Sequence, residues 1–422
     1  MQFIINNDVM RKLLAIFVPL AAMLCLRAEA QEISGPWNGE LQAGVSKISI
    51  VFRFENGKCT MDSPDQGAKN IPAELEYMSA DSVRVVQRQM DAVFSGRLKN
   101  GKIAGRFSQR GLTMPLVLSP GEVVRNRPQT PAEPFPYKTE EVTFTSGDAT
   151  LAGTLTYPEG WNGKKKVPVA IMVTGSGTQN RDEELFGHKP FLVIADYLAR
   201  NGIATLRYDD RGAGASTGDP EKATTHDFML DAAAGVDHLR SLGKFKKVGV
   251  IGHSEGGSIA FMLGAREKVD FLVSLAGPGV QGDSILLLQN LNALRQAGMT
   301  MRLTKEYVRA QIKAQHNPWL DYFIDYDPLT DIGKVRCPAF VLNGDKDTQV
   351  DASVNTTPIF ENLPKNRSGK RFVNKHTRGK IYPGLNHLFQ HCQTGQVVEY
   401  SQIEETISPE VLEDIARWIN EL

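Results

Sequence analysis

One stretch, residues 247–260, constrains the fold of this 422-residue chain more than any other. It passes from an apolar, strand-like run through Gly252-His253-Ser254-Glu255-Gly256 into a run of small residues that favours a helix. In a tight strand-to-helix turn the neighbouring backbone passes close on both sides, so the flanking positions require glycine. The stretch therefore predicts a strand, a sharp turn and a helix, as found in proteins that alternate β and α elements.

Ser254 lies at the tip of this turn and is our candidate nucleophile. The helix that follows directs its first N–H groups toward the turn, which favours negative charge developing there. We expect the backbone N–H of Glu255 to be one donor of an oxyanion hole. The second donor is expected from the loop Gly175-Ser176-Gly177, with Ser176 as our choice. The alternative, an inert serine in a glycine-rich turn, is disfavoured by the strand before it and the helix after it.

A serine nucleophile needs a base and a carboxylate that orients the base, here expected in the order Ser, Asp, His. Asp347 follows a strand-like run that ends at Leu342, and Asp345 in the same loop is the competing carboxylate. His387 lies in a loop after the last predicted strand, where it could take the Ser254 proton and pass it to the leaving group. We therefore predict a triad of Ser254, Asp347 and His387.

Other motifs are read as structural. The 175–177 loop lacks the downstream glycine and lysine of a phosphate-binding loop. The run 207–216 departs from the spacing of a dinucleotide fingerprint, so we expect a turn in which Asp209 and Arg211 fix loops through ion pairs. No His or Cys cluster is spaced for zinc, and we predict neither a metal nor an organic cofactor.

The chain begins with a segment typical of a secretory signal peptide. Arg11-Lys12 precede the apolar run 13–26, and Ala28-Glu29-Ala30 form a small-x-small cleavage site. We expect cleavage before Gln31 and a periplasmic or secreted protein without stable membrane insertion. Since 48 basic residues balance 48 acidic ones, no nucleic-acid surface is indicated. The oligomeric state is not readable from the sequence.

Residues 31–119 are predicted to form an all-β domain. Polar and apolar residues alternate over 46–54 and 82–86, and Asn56-Gly57 and Asn100-Gly101 have the residues of two-residue hairpin turns. A small antiparallel barrel or sandwich of about seven or eight strands is expected. A proline-rich linker, residues 120–137, follows it.

Residues 138–422 are predicted to form the catalytic domain. An opening hairpin, 141–157, precedes strands and helices that alternate, which implies a mostly parallel sheet with helices on both faces. The predicted strands cover 167–173, 203–208, 271–276, 339–342 and 380–382, and the predicted helices cover 189–200, 227–242 and a final one from Pro409. Helical patterns without strands occupy about 279–335. We expect a cap over the site there, with ordinary surface helices as the alternative.

These residues resemble the α/β-hydrolase superfamily. The resemblance rests on the turn at Ser254, Asp-x-Arg-Gly-x-Gly-x-Ser at 209–216, Gly-x-x-Asp-x-x-Val at 344–350 and Asn-His at 386–387. More narrowly, residues 175–183 and Pro-Gly-Leu-Asn-His-Leu-Phe at 383–389 look like secreted bacterial serine esterases that carry an N-terminal extension. The resemblance implies an α/β-hydrolase fold and hydrolysis of carboxylic esters with short acyl chains.

We therefore predict an esterase that forms an acyl-enzyme on Ser254 and acts on a small-molecule or glycan ester. A serine peptidase of the same fold, of the prolyl or aminopeptidase type, is the first alternative. A non-catalytic protein that binds glycan or envelope through its β domain is the second. The physiological ester and the role of the β domain are not readable from the sequence.

Overall fold

The computed structural model describes residues 33–43, 46–296, 298–366, 369 and 372–422. The predicted signal peptide lies outside the described residues. The chain divides into two compact units: the first comprises the described residues up to Pro64 together with Ala68–Val123, and the second comprises Asp65–Gly67 and Val124–Leu422.

The first unit is a closed antiparallel barrel of eight strands in sequential order. Its strands are β1 (Gly35–Ala43), β2 (Ser46–Glu55), β3 (Lys58–Ser63), β4 (Ala68–Met78), β5 (Ser82–Gln87), β6 (Ala92–Lys99), β7 (Lys102–Gln109) and β8 (Leu112–Pro120). Pairing of β1 with β8, with Trp37 opposite Pro120, closes the barrel. A barrel, and not a sandwich, is therefore the architecture of this region.

Local turn chemistry and apolar packing explain the barrel. Asn56 and Gly57 both have positive φ, 51° and 72°, between β2 and β3, as a two-residue hairpin requires. The buried side chains include Trp37, Phe52 and Phe94, and the rings of the two phenylalanines stack with centroids 5.3 Å apart. The alternating sequence pattern thus fills the interior of this unit.

The second unit is built on an eight-stranded sheet in the order β16-β15-β14-β13-β11-β12-β10-β9. Its strands are β9 (Thr139–Ser146), β10 (Ala149–Thr156), β11 (Val167–Val173), β12 (Ala204–Tyr208), β13 (Phe245–His253), β14 (Leu272–Leu275), β15 (Ala339–Gly344) and β16 (Arg378–Tyr382). β9 and β10 form an antiparallel hairpin and β10 pairs antiparallel with β12, whereas the remaining pairs are parallel.

Helices cover this sheet, and the two largest apolar clusters of the unit lie among them and the strands. The helices are α1 (Pro190–Arg200), α2 (Thr225–Ser241), α3 (Glu255–Ala265), α4 (Gly282–Gln296), α5 (Lys305–Lys313), α6 (Pro318–Asp325), α7 (Leu329–Ile332), α8 (Ala352–Asn362), α9 (Val397–Tyr400) and α10 (Pro409–Asn420). In the part of the chain that the structure describes, no helix is long and apolar enough to cross a membrane.

The predicted elements of this unit are present, with ends that differ by a few residues. Helix α2 begins before the predicted Asp227, because Thr224 and Asp227 form a reciprocal capping box at its start. The sequence reasoning missed α8, which contains Pro358 in its interior. Proline removes a backbone donor and usually ends a helix, so the apolar packing of Ile359 outweighs that local preference.

Candidate active site

The predicted turn at Ser254 connects β13 directly to α3. Ser254 has φ of 53° and ψ of −118°, a backbone conformation that a non-glycine residue seldom adopts. A Cβ on Gly252 would overlap the carbonyl oxygen of Gly256, and a Cβ on Gly256 would overlap that of Val173. Close backbone packing on both sides thus explains both glycines and holds the serine at the tip of the turn.

His387 and Asp347 lie together. Nδ1 of His387 is 2.7 Å from Oδ2 of Asp347, and both side chains are buried. The other carboxylate oxygen of Asp347 accepts the backbone N–H groups of Gln349 and Val350, each at 2.8 Å. Asp347 is therefore held in one orientation with a single oxygen free to face the imidazole.

The competing carboxylate, Asp345, has a different partner. Its Oδ1 accepts the backbone N–H of Gly384 at 2.7 Å, in the loop that precedes His387. Asp345 thus ties two loops together, and the structure places Asp347 on the histidine.

The 175–177 loop packs against the serine turn. A Cβ on Gly175 would lie 3.2 Å from Cβ of Ser254. The N–H of Gly175 donates to Oε1 of Glu183 at 2.8 Å, so this amide already has an acceptor. Ser176 therefore offers the next backbone N–H of the loop for a developing oxyanion, and Glu255 follows Ser254 at the first position of α3.

A cavity of about 270 Å³ lies over these groups. Ser254, His387, Gly175 and Ser176 are among the residues that line it. Its remaining wall includes side chains of the helical segment 279–335, namely Leu286 and Gln289 from α4 and Trp319 and Phe323 from α6. The rings of Trp319 and Phe323 stack, with centroids 5.6 Å apart. The helical segment thus forms the cap that the sequence predicted.

The side chain of Glu255 connects the cap to the serine turn. This buried carboxylate accepts hydrogen bonds from Thr225 Oγ1 at 2.6 Å and from Trp319 Nε1 at 2.8 Å. Burial raises the pKa of Glu255, although the hydrogen bonds to its carboxylate oppose that shift. The sequence singled out Glu255 only for its backbone N–H. Its side chain also joins α2, α3 and α6.

Comparison with known proteins agrees with this architecture. The model of a family described as serine aminopeptidase, S33, matches residues 190–360. Esterase EstD of Thermotoga maritima is 26% identical over 402 residues, which cover 92% of this chain and 87% of EstD.

The second unit has an α/β-hydrolase fold. Solved structures that resemble it include an esterase from Pyrococcus furiosus, Pf2001, with 19% identity, a TM-score of 0.47 and coverage of 71% of this chain and 99% of that one. Est1E from Butyrivibrio proteoclasticus, bound to ferulic acid, has 18% identity, a TM-score of 0.44 and coverage of 66% of this chain and 98% of that one.

Two residues that the sequence reasoning left without a role lie beside Ser254 and His387. His253 Nδ1 is 2.8 Å from Glu183 Oε1, and His253 Nε2 is 3.0 Å from the carbonyl oxygen of His387. Burial disfavours the charged form of His253, but the Glu183 carboxylate, the hydrogen bond to the His387 carbonyl and the charge of Asp347 together outweigh burial, and the net effect raises the pKa of His253. The available sequence signal was a histidine adjacent to the candidate nucleophile, whereas its partner Glu183 is 70 residues away in the chain.

The 207–216 turn has the structural contacts that were expected of it. Asp209 accepts from the guanidinium of Arg181 at 2.8 Å, and Arg211 pairs with Asp231 at 2.7 Å. Between them, the buried Asp210 accepts from the Thr174 hydroxyl at 2.8 Å, and burial raises the pKa of Asp210 to about 8. This turn therefore supports the loop that leads into Gly175.

In the described ranges, no three side chains of His, Cys, Asp or Glu come together as ligands for a metal ion.

Proposed function

We propose that the protein is a serine hydrolase that cleaves carboxylic esters with short acyl chains through an acyl-enzyme on Ser254. The observation that carries the proposal is the constrained turn of Ser254 in the same cavity as a His387 that is bonded to Asp347. The similarity to esterase EstD over most of the chain supports an ester as the substrate.

The reaction follows from the roles that these groups can take. His387 removes the proton of Ser254 as Oγ attacks the ester carbonyl carbon, and the N–H groups of Ser176 and Glu255 stabilise the resulting oxyanion. The C–O bond to the alcohol then breaks, and His387 gives its proton to the departing oxygen. Water, deprotonated by His387, attacks the acyl-enzyme, and release of the acid restores Ser254. Asp347 keeps the proton of neutral His387 on Nδ1, so that Nε2 can accept.

The size of the cavity supports a small acyl group. About 270 Å³ lies just below the range of pockets that hold drug-sized ligands, and the cap contributes aromatic and aliphatic side chains to its wall. An acetyl or similarly short acyl chain fits this volume. We further propose export by the N-terminal segment to the periplasm or beyond, where acetylated glycans would be accessible substrates.

A serine peptidase is the second candidate, because the matching family is described as a serine aminopeptidase. Binding of a substrate amine would call for a carboxylate that faces the cavity. The two buried glutamates at the site have protein donors: Glu183 accepts from Gly175 and faces His253, and Glu255 accepts from Thr225 and Trp319. We therefore favour the ester.

A paired assay tests the proposal. The mature protein, residues 31–422, is given an aryl acetate and, separately, prolyl and aminoacyl arylamides. Ester turnover should fall by at least about 10⁴-fold in Ser254→Ala and in His387→Ala. Matched controls are Ser241→Ala and His316→Asn, which change exposed residues and should retain parental turnover.

The outcomes separate the candidates. Cleavage of the arylamides in place of the ester would assign the protein to the peptidases. Turnover of neither class would favour a protein that binds glycan or envelope through its barrel. Ester turnover that survives in Ser254→Ala would contradict the mechanism. For localisation, the exported protein should begin at Gln31 when its N-terminus is sequenced.

A further inference from the structure

The pair formed by Glu183 and His253 lies behind the triad and has no part in the reaction written above. Both side chains are buried, with 1% and 6% of their surfaces exposed. An ionisable pair removed from water in this way is costly to maintain unless both partners are well bonded. Its contacts therefore indicate what it does.

We propose that Glu183 and His253 are positioning residues that hold the backbone of His387 and the oxyanion loop in reactive alignment. The proposal rests on the proposed function, since it assigns His387 as the base.

The contacts of His253 define its protonation. The carbonyl oxygen of His387 can only accept a hydrogen bond, so Nε2 of His253 must carry a proton. Nδ1 faces Glu183 Oε1, and an ionised carboxylate, like the carbonyl oxygen, can only accept. Both nitrogens then donate, and the ring is an imidazolium paired with a carboxylate. A neutral imidazole has one N–H and could satisfy one of the two partners alone.

The same carboxylate oxygen reaches the oxyanion loop. Oε1 of Glu183 accepts the N–H of Gly175, whose neighbour Ser176 is our second oxyanion donor. One short chain of hydrogen bonds therefore runs from the Gly175 amide through Glu183 and His253 to the His387 carbonyl. His253 is also joined covalently to Ser254, so the chain touches all three parts of the site.

His387 needs this support because it lies in a loop beyond β16. Asp347 fixes its ring through Nδ1, whereas His253 holds its backbone and packs against the ring with centroids 4.7 Å apart at 44°. Displacement of a catalytic group by about 1 Å can lower a rate by about 10²-fold. Loss of the contact from His253 should therefore reduce turnover without removing a reacting group.

Other ionisable groups surround the pair. Asp347 favours the charged form of His253, and Glu183 contributes to the raised pKa of Asp210. His387 contacts His253 through its ring and its carbonyl group. A variant that removes Glu183 or His253 leaves the other residue of the pair buried among these charged groups. The test therefore needs two variants, one that removes the charge of His253 and one that removes the charge of Glu183.

The test uses the full mature chain and an aryl acetate. His253→Phe keeps a ring but removes both hydrogen bonds, and Glu183→Gln leaves an uncharged amide in the same space. Each should lower kcat by about 10- to 100-fold with KM changed by less than about threefold. Active-site titration by the burst of aryl alcohol normalises kcat to folded enzyme. The control is His188→Phe. His188 is another buried histidine, with hydrogen bonds to Thr406 and to the carbonyl oxygen of Tyr400, and its variant should keep parental kcat.

A double-variant cycle separates positioning from general stability. In a His387→Ala background, His253→Phe should have no further effect on the residual rate, because there is no base to position. An equal further loss in that background would overturn the proposal. Parental kcat in both His253→Phe and Glu183→Gln would also overturn it, while the loss of activity in Ser254→Ala would leave the proposed function intact.

A measurement on the parent protein covers the case in which a variant does not fold. ¹⁵N NMR of the histidine rings at pH 7.5 should show both nitrogens of His253 protonated. A neutral His253 ring at this pH would contradict the proposed pair.

Discussion

Replacement of Asp347 by asparagine tests the triad with the smallest structural change. In the parent, one carboxylate oxygen of Asp347 accepts two backbone N–H groups and the other faces His387 Nδ1. Asparagine has the same shape, but only one of its two terminal atoms can accept. The orientation that its amide takes decides the result.

The backbone amides of Gln349 and Val350 select that orientation. If the amide NH₂ faced them, these buried and part-buried donors would lose their acceptor, at a cost of about 1–3 kcal/mol each. The asparagine oxygen therefore stays on the backbone amides, and its NH₂ donates to His387 Nδ1. The proton of His387 then moves to Nε2, the atom that must accept the proton of Ser254.

The expected effect is large for this reason. The equivalent change in a serine protease triad lowers kcat by about 10⁴-fold, which corresponds to about 5 kcal/mol of transition-state stabilisation. We expect a loss of similar size in Asp347→Asn, with a melting temperature close to that of the parent. The assay is hydrolysis of an aryl acetate at substrate saturation.

Asp345→Asn is the matched control. Asp345 accepts a backbone N–H of Gly384 and has no hydrogen bond to His387 in the structure, so its variant should retain turnover within about tenfold. The reasoning would be refuted if Asp347→Asn kept a tenth or more of the parental kcat, or if Asp345→Asn lost as much activity.

Three further predictions concern the turn and the buried ionisable groups. Gly256→Ala should abolish ester turnover and lower the melting temperature, because its Cβ would overlap the backbone carbonyl of Val173; parental turnover would contradict this. Burial lowers the pKa of His188 to about 4, so NMR titration should find its ring neutral at pH 5.5. Since the pKa of a histidine in the unfolded chain is near 6.5, the contribution of His188 to the free energy of unfolding is fully present above pH 6.5 and is lost as the pH falls toward 4. A titration midpoint of His188 near pH 6.5 in the folded protein would argue against this. Alkylation of the native protein at pH 8 should modify the partly exposed Cys392 before the buried Cys59, as followed by mass spectrometry. The thiolate is the reactive form, and burial raises the pKa of the Cys59 thiol to about 12. Equal rates of modification at the two cysteines would disprove this.

Several features of the fold could be predicted because they depend on residues close together in the chain. Asn56-Gly57 forms the expected hairpin turn, since both positions need positive φ and these residues tolerate it. The apolar run 167–173 became a strand buried in the middle of the sheet. The turn at Ser254 was predicted from its two flanking glycines, because the neighbouring backbone leaves no room for a side chain at either position.

The candidate site was only partly accessible to the same reasoning. The order of Ser254, Asp347 and His387 along the chain indicated a triad, but Asp345 in the same loop remained a competitor. The structure separates the two carboxylates, because the backbone amides at 349 and 350 hold one of them toward His387 while Gly384 holds the other elsewhere. Local sequence could not show which carboxylate meets which donor.

The sequence by itself thus determined the turns, the alternation of strands and helices and the candidate residues of the site, because steric limits and periodicity act over a few residues. Only the tertiary structure decided that the β region closes as a barrel, through pairing of strands whose partners Asn38 and Ser119 are far apart in the chain. It also decided the links from Glu183 to His253 and from Glu255 to Trp319, which join residues 70 and 64 positions apart. Contacts at such separations depend on how the whole chain packs, and no local pattern encodes them.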